Sequence, residues 1–205
     1  MNAYTNIIKD DPALVSQTAR FTRMQDGTLE DWQKIGAAHK VDFTKTADRF
    51  IGMLKQLEDA TLGFACDQLQ HALMCATLAR RDGATDEQIV VALCHDMAKV
   101  INVPNHGPIV AEMLKPYVSE DSYHVLRNHQ AFQGEHYYHY MGAPTDLRLQ
   151  WKDEPWYDYA VKLVDTWDAP AFDPDFEADS LESLNHLCAR FSMIALWRSV
   201  NGGYI

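Results

Sequence analysis

The 205-residue chain is 47% hydrophobic, enough apolar material for one domain with a continuous core. Its 29 acidic residues against 18 basic ones leave a formal charge of -11, which repels phosphate backbones and anionic lipid and so argues against nucleic-acid or membrane-surface partners. No apolar run approaches the roughly 20 residues of a membrane span, and Met1 to Asp11 lacks the charged-then-apolar order of a secretory signal, so a cytoplasmic protein is expected.

Taken in chain order, apolar residues recur with a helical period and no convincing alternating strand appears, so the expected class is an all-α, single-domain helical bundle. Thr28-Leu29-Glu30-Asp31 has capping-box form and opens a long pattern through Trp32, Ile35, Phe43, Phe50, Ile51, Leu54 and Leu57. Asp67 caps a helix over Gln68 to Arg81 that Gly83 ends. A second capping box, Thr85 to Gln88, starts a helix expected to run to about Lys99. Asn102 to Gly107 reads as a loop, Pro108 suits a first helical turn, and Pro116 closes that short helix near Lys115. A further helix is expected over about Glu120 to Phe132, followed by the aromatic stretch Tyr137 to Tyr140 and a Gly142/Pro144 break. Pro155 opens a helix through Trp167 and Asp168, and a last helix is expected over about Leu181 to Val200. Cys66, Cys75, Cys94 and Cys188 lie far apart within apolar patterns, without a C-x-x-C pair, and read as reduced core residues.

Chemistry enters at Ile89-Val90-Val91-Ala92-Leu93-Cys94, which is apolar on every helix face and therefore buried. His95-Asp96 follows directly. A His-Asp pair is common, but an ionised carboxylate in a core costs several kcal/mol unless it is paired or metal-bound. Adjacent helical residues point about 100° apart, so the two suit one centre best if Asp96 bridges two cations and His95 binds one. Further ligands are then needed. His71 shares an inward helix face with Cys75 and Leu78; His106 stands at a loop-to-helix junction; His129 follows in Asn128-His129-Gln130; Asp168 ends the pattern carrying Val161, Val164 and Trp167.

In order, His71, His95-Asp96, His106, His129 and Asp168 resemble the H…HD…H…H…D pattern of the HD-domain superfamily, two-metal branch. The resemblance spans about Phe21 to Phe191 and is closest to predicted HD phosphohydrolases, which are similar to organophosphonate oxygenases and more remotely to myo-inositol oxygenase. Phe21 to Thr28, Gln68 to Leu73, Val103 to Gly107 and Trp167-Asp168 carry it. It implies an HD-type domain over the whole chain, with a metal-binding core at about 64–170 and N-terminal helices at about 12–60 packed on it. It also implies that Asp96 bridges two ions, one held as well by His71, His95 and Asp168, the other by His106 and His129. Iron is the expected metal, with manganese or zinc as alternatives on ligand softness. Lys99 matches the lysine of an HD-x-x-K form and is expected to contact an anionic substrate group or stabilise developing charge, unless it serves only the helix C-terminus. Arg127 is a weaker anion-contact candidate, with a plain surface position the favoured reading. Asp165, in Leu163-Val164-Asp165, competes with Asp168 for the last ligand position; the Trp-Asp pair favours Asp168. His124, His136 and His139 have no place in the pattern; His139 is a candidate for a substrate mouth, but packing within the aromatic cluster Tyr137 to Tyr140 is the favoured reading.

One departure bears on the reaction. Organophosphonate oxygenases carry a glutamate seven residues before the first histidine and a tyrosine three earlier; this chain has Phe64 and Thr61 there. The favoured expectation is an oxygenase acting with dioxygen on a small anionic or polyol substrate, and the alternative is a phosphohydrolase in which the ions acidify a water. Self-association into a homo-oligomer is compatible with either.

Overall fold

The computed structural model describes residues 11–184 and 186–187. These residues are all-α, with no strand among them. They group into two compact units, a smaller one holding 11–49 and a larger one starting at Phe50.

In the smaller unit, α1 (Pro12–Val15) is a single turn, and α2 (Leu29–Phe43) starts at the expected capping box, in which Asp31 N–H donates to the Thr28 hydroxyl at 3.3 Å. The long pattern expected beyond it divides. The Thr44 hydroxyl donates to the Val41 carbonyl at 2.7 Å and closes α2, and α3 (Thr46–Lys55) begins afresh and crosses the boundary at Arg49.

The larger unit contains α4 (Gln68–Arg81), α5 (Asp86–Cys94), α6 (His106–Leu114), α7 (Glu120–Tyr137) and α8 (Tyr157–Lys162), the last continuing into a π-helix at Leu163–Asp168. α4 packs against α5 and the π-helix, and α6 against α7. Leu93, Met74, Leu126, Phe132, Leu163 and Trp167 are buried in its core. Burial of such side chains stabilises by about 1.5–3 kcal/mol each. Polar anchors add register: Glu87 of α5 accepts from the Ser119 N–H at 2.8 Å and the Ser122 hydroxyl at 2.6 Å, tying the starts of α5 and α7.

Five elements differ from the sequence reading. The stretch read as a loop to Gly107 is a 3-10 turn over Val103–Asn105 that runs straight into α6 at His106. α5 stops at Cys94 instead of Lys99: Asp96 lies at φ -99, ψ -1 and a 3-10 turn spans Met97–Val100. α7 extends five residues past Phe132, because Gly134 lets the Tyr138 ring lie against the helix, where a Cβ would sit only 2.5 Å from ring atoms. α8 begins at Tyr157, two residues after Pro155, since turn residues intervene. The turn carrying Asp168 is π-helical, with the Ala169 N–H donating to the Val164 carbonyl at 2.8 Å. The final helix begins at Leu181, and its expected course past Leu187 lies outside the described residues.

Candidate metal centre

His71 lies one turn into α4, whose Asp67 cap accepts from the Gln70 N–H at 2.7 Å. His95 follows the last residue of α5, His106 opens α6, and His129 sits mid-α7. All four are buried. Gly107 brings two of them together: a Cβ there would meet the Leu126 carbonyl at 3.2 Å and the Arg127 carbonyl at 3.3 Å, so glycine is what lets α6 approach the α7 backbone.

Each imidazole is oriented in the same way. His71 Nδ1 lies 2.8 Å from the Ala171 carbonyl, His95 Nδ1 2.8 Å from Ala92, His106 Nδ1 2.6 Å from Val103, and His129 Nδ1 2.7 Å from Leu126. A carbonyl can only accept, so every Nδ1 carries a proton, and a neutral ring then presents a lone pair at Nε2. Backbone carbonyls holding Nδ1–H in this manner are a common outer support of metal-binding histidines.

Those Nε2 atoms surround Asp96, which is fully buried. Asp96 Oδ2 is 3.4 Å from His71 Nε2 and 3.4 Å from His95 Nε2, and Asp168 Oδ1 is 3.3 Å from the former and 3.8 Å from the latter. On the other side, Asp96 Oδ1 is 2.8 Å from His106 Nε2 and 3.5 Å from His129 Nε2. The two oxygens of one carboxylate thus face two separate imidazole pairs. With Nδ1 protonated, the 3.0 Å approach of His106 Nε2 to His129 Nε2 brings lone pair against lone pair, and the same holds for the short contacts to Asp96. His95 Nε2 and Asp96 Oδ1 have no hydrogen-bond donor. Neutral nitrogens and carboxylate oxygens converging without protons between them is the chemistry of a cation site, so the buried His, Asp and Cys groups here can hold a metal ion.

Electrostatics agree. Burial opposes charge on Asp96, but the imidazoles, His95 foremost, outweigh it and hold the carboxyl well below the usual carboxylate range. Burial likewise opposes charge on Asp168, yet His71 and His95 bring it down to about 2. Burial disfavours a proton on His71, but the Cys75 sulfur and the two carboxylates raise that ring well above the ordinary histidine value. His129 is shifted downward, burial outweighing Asp96. A proton on His71 and a cation beside Asp96 satisfy the same field and compete for it.

The surroundings contain residues outside the expected ligand set. Cys75 Sγ is 3.6 Å from His71 Nε2, and burial pushes its thiol up to about 11. Gln133 Nε2 donates to Asp168 Oδ2 at 2.6 Å, and Gln68 Oε1 accepts from Lys99 Nζ at 2.7 Å. Phe172 stacks on His71 (centroids 4.4 Å apart) and Phe64 stacks on Phe172 (4.8 Å), so Phe64 covers the outside of a three-ring pile. Cys75 is on the helix face the sequence assigns it with His71, and spacing alone could have flagged Gln133, which follows His129 by four helical positions on the same face. Cys66, Cys75 and Cys94 are free and buried, as expected of core thiols; Cys188 lies outside the described residues.

Lys99 Nζ approaches Asp96 Oδ2 at 2.5 Å, and Lys99 also lines a cavity of about 680 Å³. His106, Gln130, Gln133, Tyr137, Asp168 and Phe172 line it too. Asp165 stands apart from the cluster: it accepts from Arg148 at 3.0 Å and lies 3.1 Å from His136, leaving Asp168 as the aspartate among the imidazoles. His136 reaches the cavity wall, His124 stacks on Trp156, and His139 packs against Tyr140. Arg127 is half-exposed and faces Glu112 at 3.6 Å, away from the cavity. No helix among the described residues is long and apolar enough to cross a membrane. No family model matches the chain, and a search of curated proteins finds no match either.

Proposed function

We propose that the chain is an HD-type metalloenzyme that holds two metal ions, iron natively, and uses dioxygen to oxidise a small anionic or polyol substrate. The observation that supports this is the division of Asp96, each of whose oxygens faces its own pair of Nε2 atoms. In this reading His71, His95, Asp168 and Asp96 Oδ2 hold one ion, and His106, His129 and Asp96 Oδ1 hold the other. The second has fewer protein donors, and His106 lies on the cavity wall, as does Asp168 of the first, so substrate meets the centre from that cavity and finds open positions on the second ion. A bound iron pair supplies the one-electron chemistry that dioxygen requires.

The chain's own groups prepare the site. Gln133 occupies Asp168 Oδ2 and so presents Oδ1 to His71 and His95. The Phe172 ring keeps water from the His71 face. Burial, with Tyr138 beside it, lifts the Tyr137 phenol to about 12, which keeps it a proton donor toward a substrate oxygen throughout the physiological range. Lys99 brings an ammonium to the same wall.

That ammonium is also what favours a second reading, hydrolysis of a small phosphate ester, in which Lys99 stabilises charge on the phosphoryl group and the ions acidify the attacking water. Anaerobic purification, metal analysis and paired assays separate the two. Oxygen uptake with small phosphonates or polyols, together with a mixed-valent paramagnetic signal, supports oxidation; tightly bound zinc or manganese with phosphate release and no oxygen uptake replaces it with hydrolysis. In either case Lys99→Ala is expected to keep its metal and lose most turnover, as read by metal content and rate on the same sample.

A further inference from the structure

The cavity beside the centre has two unlike ends. Its inner wall is polar and buried: His106 and Asp168 are 3% and 2% exposed, Gln133 donates to Asp168 Oδ2, and Lys99 Nζ reaches Asp96 Oδ2. Its outer wall is apolar and open: Leu62, Phe64, Val103 and Met141 line it while 51%, 48%, 43% and 71% exposed. A single exposed apolar side chain is ordinary, but four lining one cavity make a surface suited to a ligand. Lys99 joins the two ends, with Nζ 5.8 Å from the centroid of the Phe64 ring. The backbone gives an independent sign: Leu62 sits at φ 49, next to Gly63 at φ 91. That left-handed region is routine for glycine and strained for leucine, and burial in the core does not hold Leu62 there, since half its surface is open.

We infer that the substrate is an amphiphilic anion, with a compact anionic head at the inner wall and Lys99 and a hydrocarbon tail of several carbons along Leu62, Phe64, Val103 and Met141. The inference rests on the proposed function and narrows its choice between anion and polyol. A polyol laid along the outer wall exchanges hydroxyl–water hydrogen bonds for contact with side chains that return none, whereas a hydrocarbon gains from the same contact. His136, a polar group that also lines the cavity, already has its Nε2 at 3.1 Å from Asp165. At about 680 Å³ the cavity has room for a tail as well as a head, within the usual size of small-molecule pockets.

Equilibrium binding tests this without turnover. The full-length protein, purified anaerobically with the metal it carries and assayed for that metal, is titrated calorimetrically with n-alkylphosphonates and n-alkanoates of increasing chain length, and with hexan-1-ol and inositol. In at least one of the two anionic series, which thereby identifies the head, affinity is expected to rise about fourfold per methylene until the cavity is filled. Hexan-1-ol and inositol are expected to bind far more weakly than the six-carbon anion. In the double variant Leu62→Asn, Met141→Asn the ratio of long-chain to short-chain affinity should fall about tenfold. Asparagine accepts a left-handed φ, so lost contact and not backbone strain accounts for that fall. Metal-bearing protein that binds both series without regard to chain length, or binds neither, overturns the inference and leaves the metal centre standing. Hexan-1-ol or inositol binding as tightly as the six-carbon anion overturns it equally, as does an undiminished chain-length gain in the folded double variant. Protein that holds no metal and binds no anion removes both readings. The series on the unmodified protein is decisive if the variant does not fold.

Discussion

The two sides of Asp96 are built differently. The side facing His71, His95 and Asp168 is assembled from α4, the end of α5 and the π-helix, is walled by Cys75 and Phe172, and meets the cavity at Asp168 and Phe172. The side facing His106 and His129 rests on the α6–α7 pair alone and reaches the cavity through His106. One half is thus richer in protein donors than the other. That asymmetry fits a centre in which one ion is held permanently and its neighbour keeps positions for incoming molecules.

The largest expected effect comes from the group both halves share. Asp96→Ala removes the only carboxylate touching both imidazole pairs, and metal analysis should find the centre emptied; two tightly retained ions in that variant would refute the bridging arrangement. Next come single ligands. His71→Ala should lose the ion on its own side and, through Asp96, weaken the other, whereas His106→Ala should retain about one ion per chain; equal losses in the two variants would abolish the distinction between the halves. A smaller effect is expected from Gln133→Ala, which frees Asp168 Oδ2: removing such outer partners typically weakens metal affinity roughly 10–100-fold, to be read by competition with a chelator.

The smallest concerns Asp82, which accepts from the Trp167 indole N–H at 3.0 Å and pairs with Lys162 at 2.8 Å, one residue from Asp168. The hydrogen bond to Lys162, then that to Trp167, hold its carboxyl below the ordinary value. A lowered folded pKa stabilises above the unfolded value near 3.9, and the contribution disappears as pH falls through the folded one. Asp82→Asn should therefore melt slightly below the unmodified protein at neutral pH, with the gap closing under about pH 4. A gap that persists at low pH would assign the difference to packing.

Much of the donor set was legible because its residue types are costly where the pattern puts them. A six-residue apolar run cannot be followed by His95-Asp96 without some compensating charge, and the order of the remaining histidines and Asp168 suggested where that charge is shared. Helix starts were legible for the same local reason: Thr28, Asp67, Thr85 and Ser119 cap through their own side chains. Helix ends inside the centre were not. α5 breaks at His95 and a π-helix carries Asp168, and no residue type announces either, since both follow from packing against α4, α6 and α7.

The sequence by itself determined that the chain is helical, where most helices begin and which ionisable groups a core would have to neutralise, because caps, periodicity and the cost of a buried charge act over a few neighbouring residues. Only the tertiary structure decided which carboxylate oxygen meets which imidazole, that Asp168 and not Asp165 joins them, and that Cys75 and Gln133 stand within reach. Those relations depend on backbone carbonyls such as Ala171, 100 residues from His71, fixing each ring's proton and direction. Contacts of that range exist only after the helices have packed.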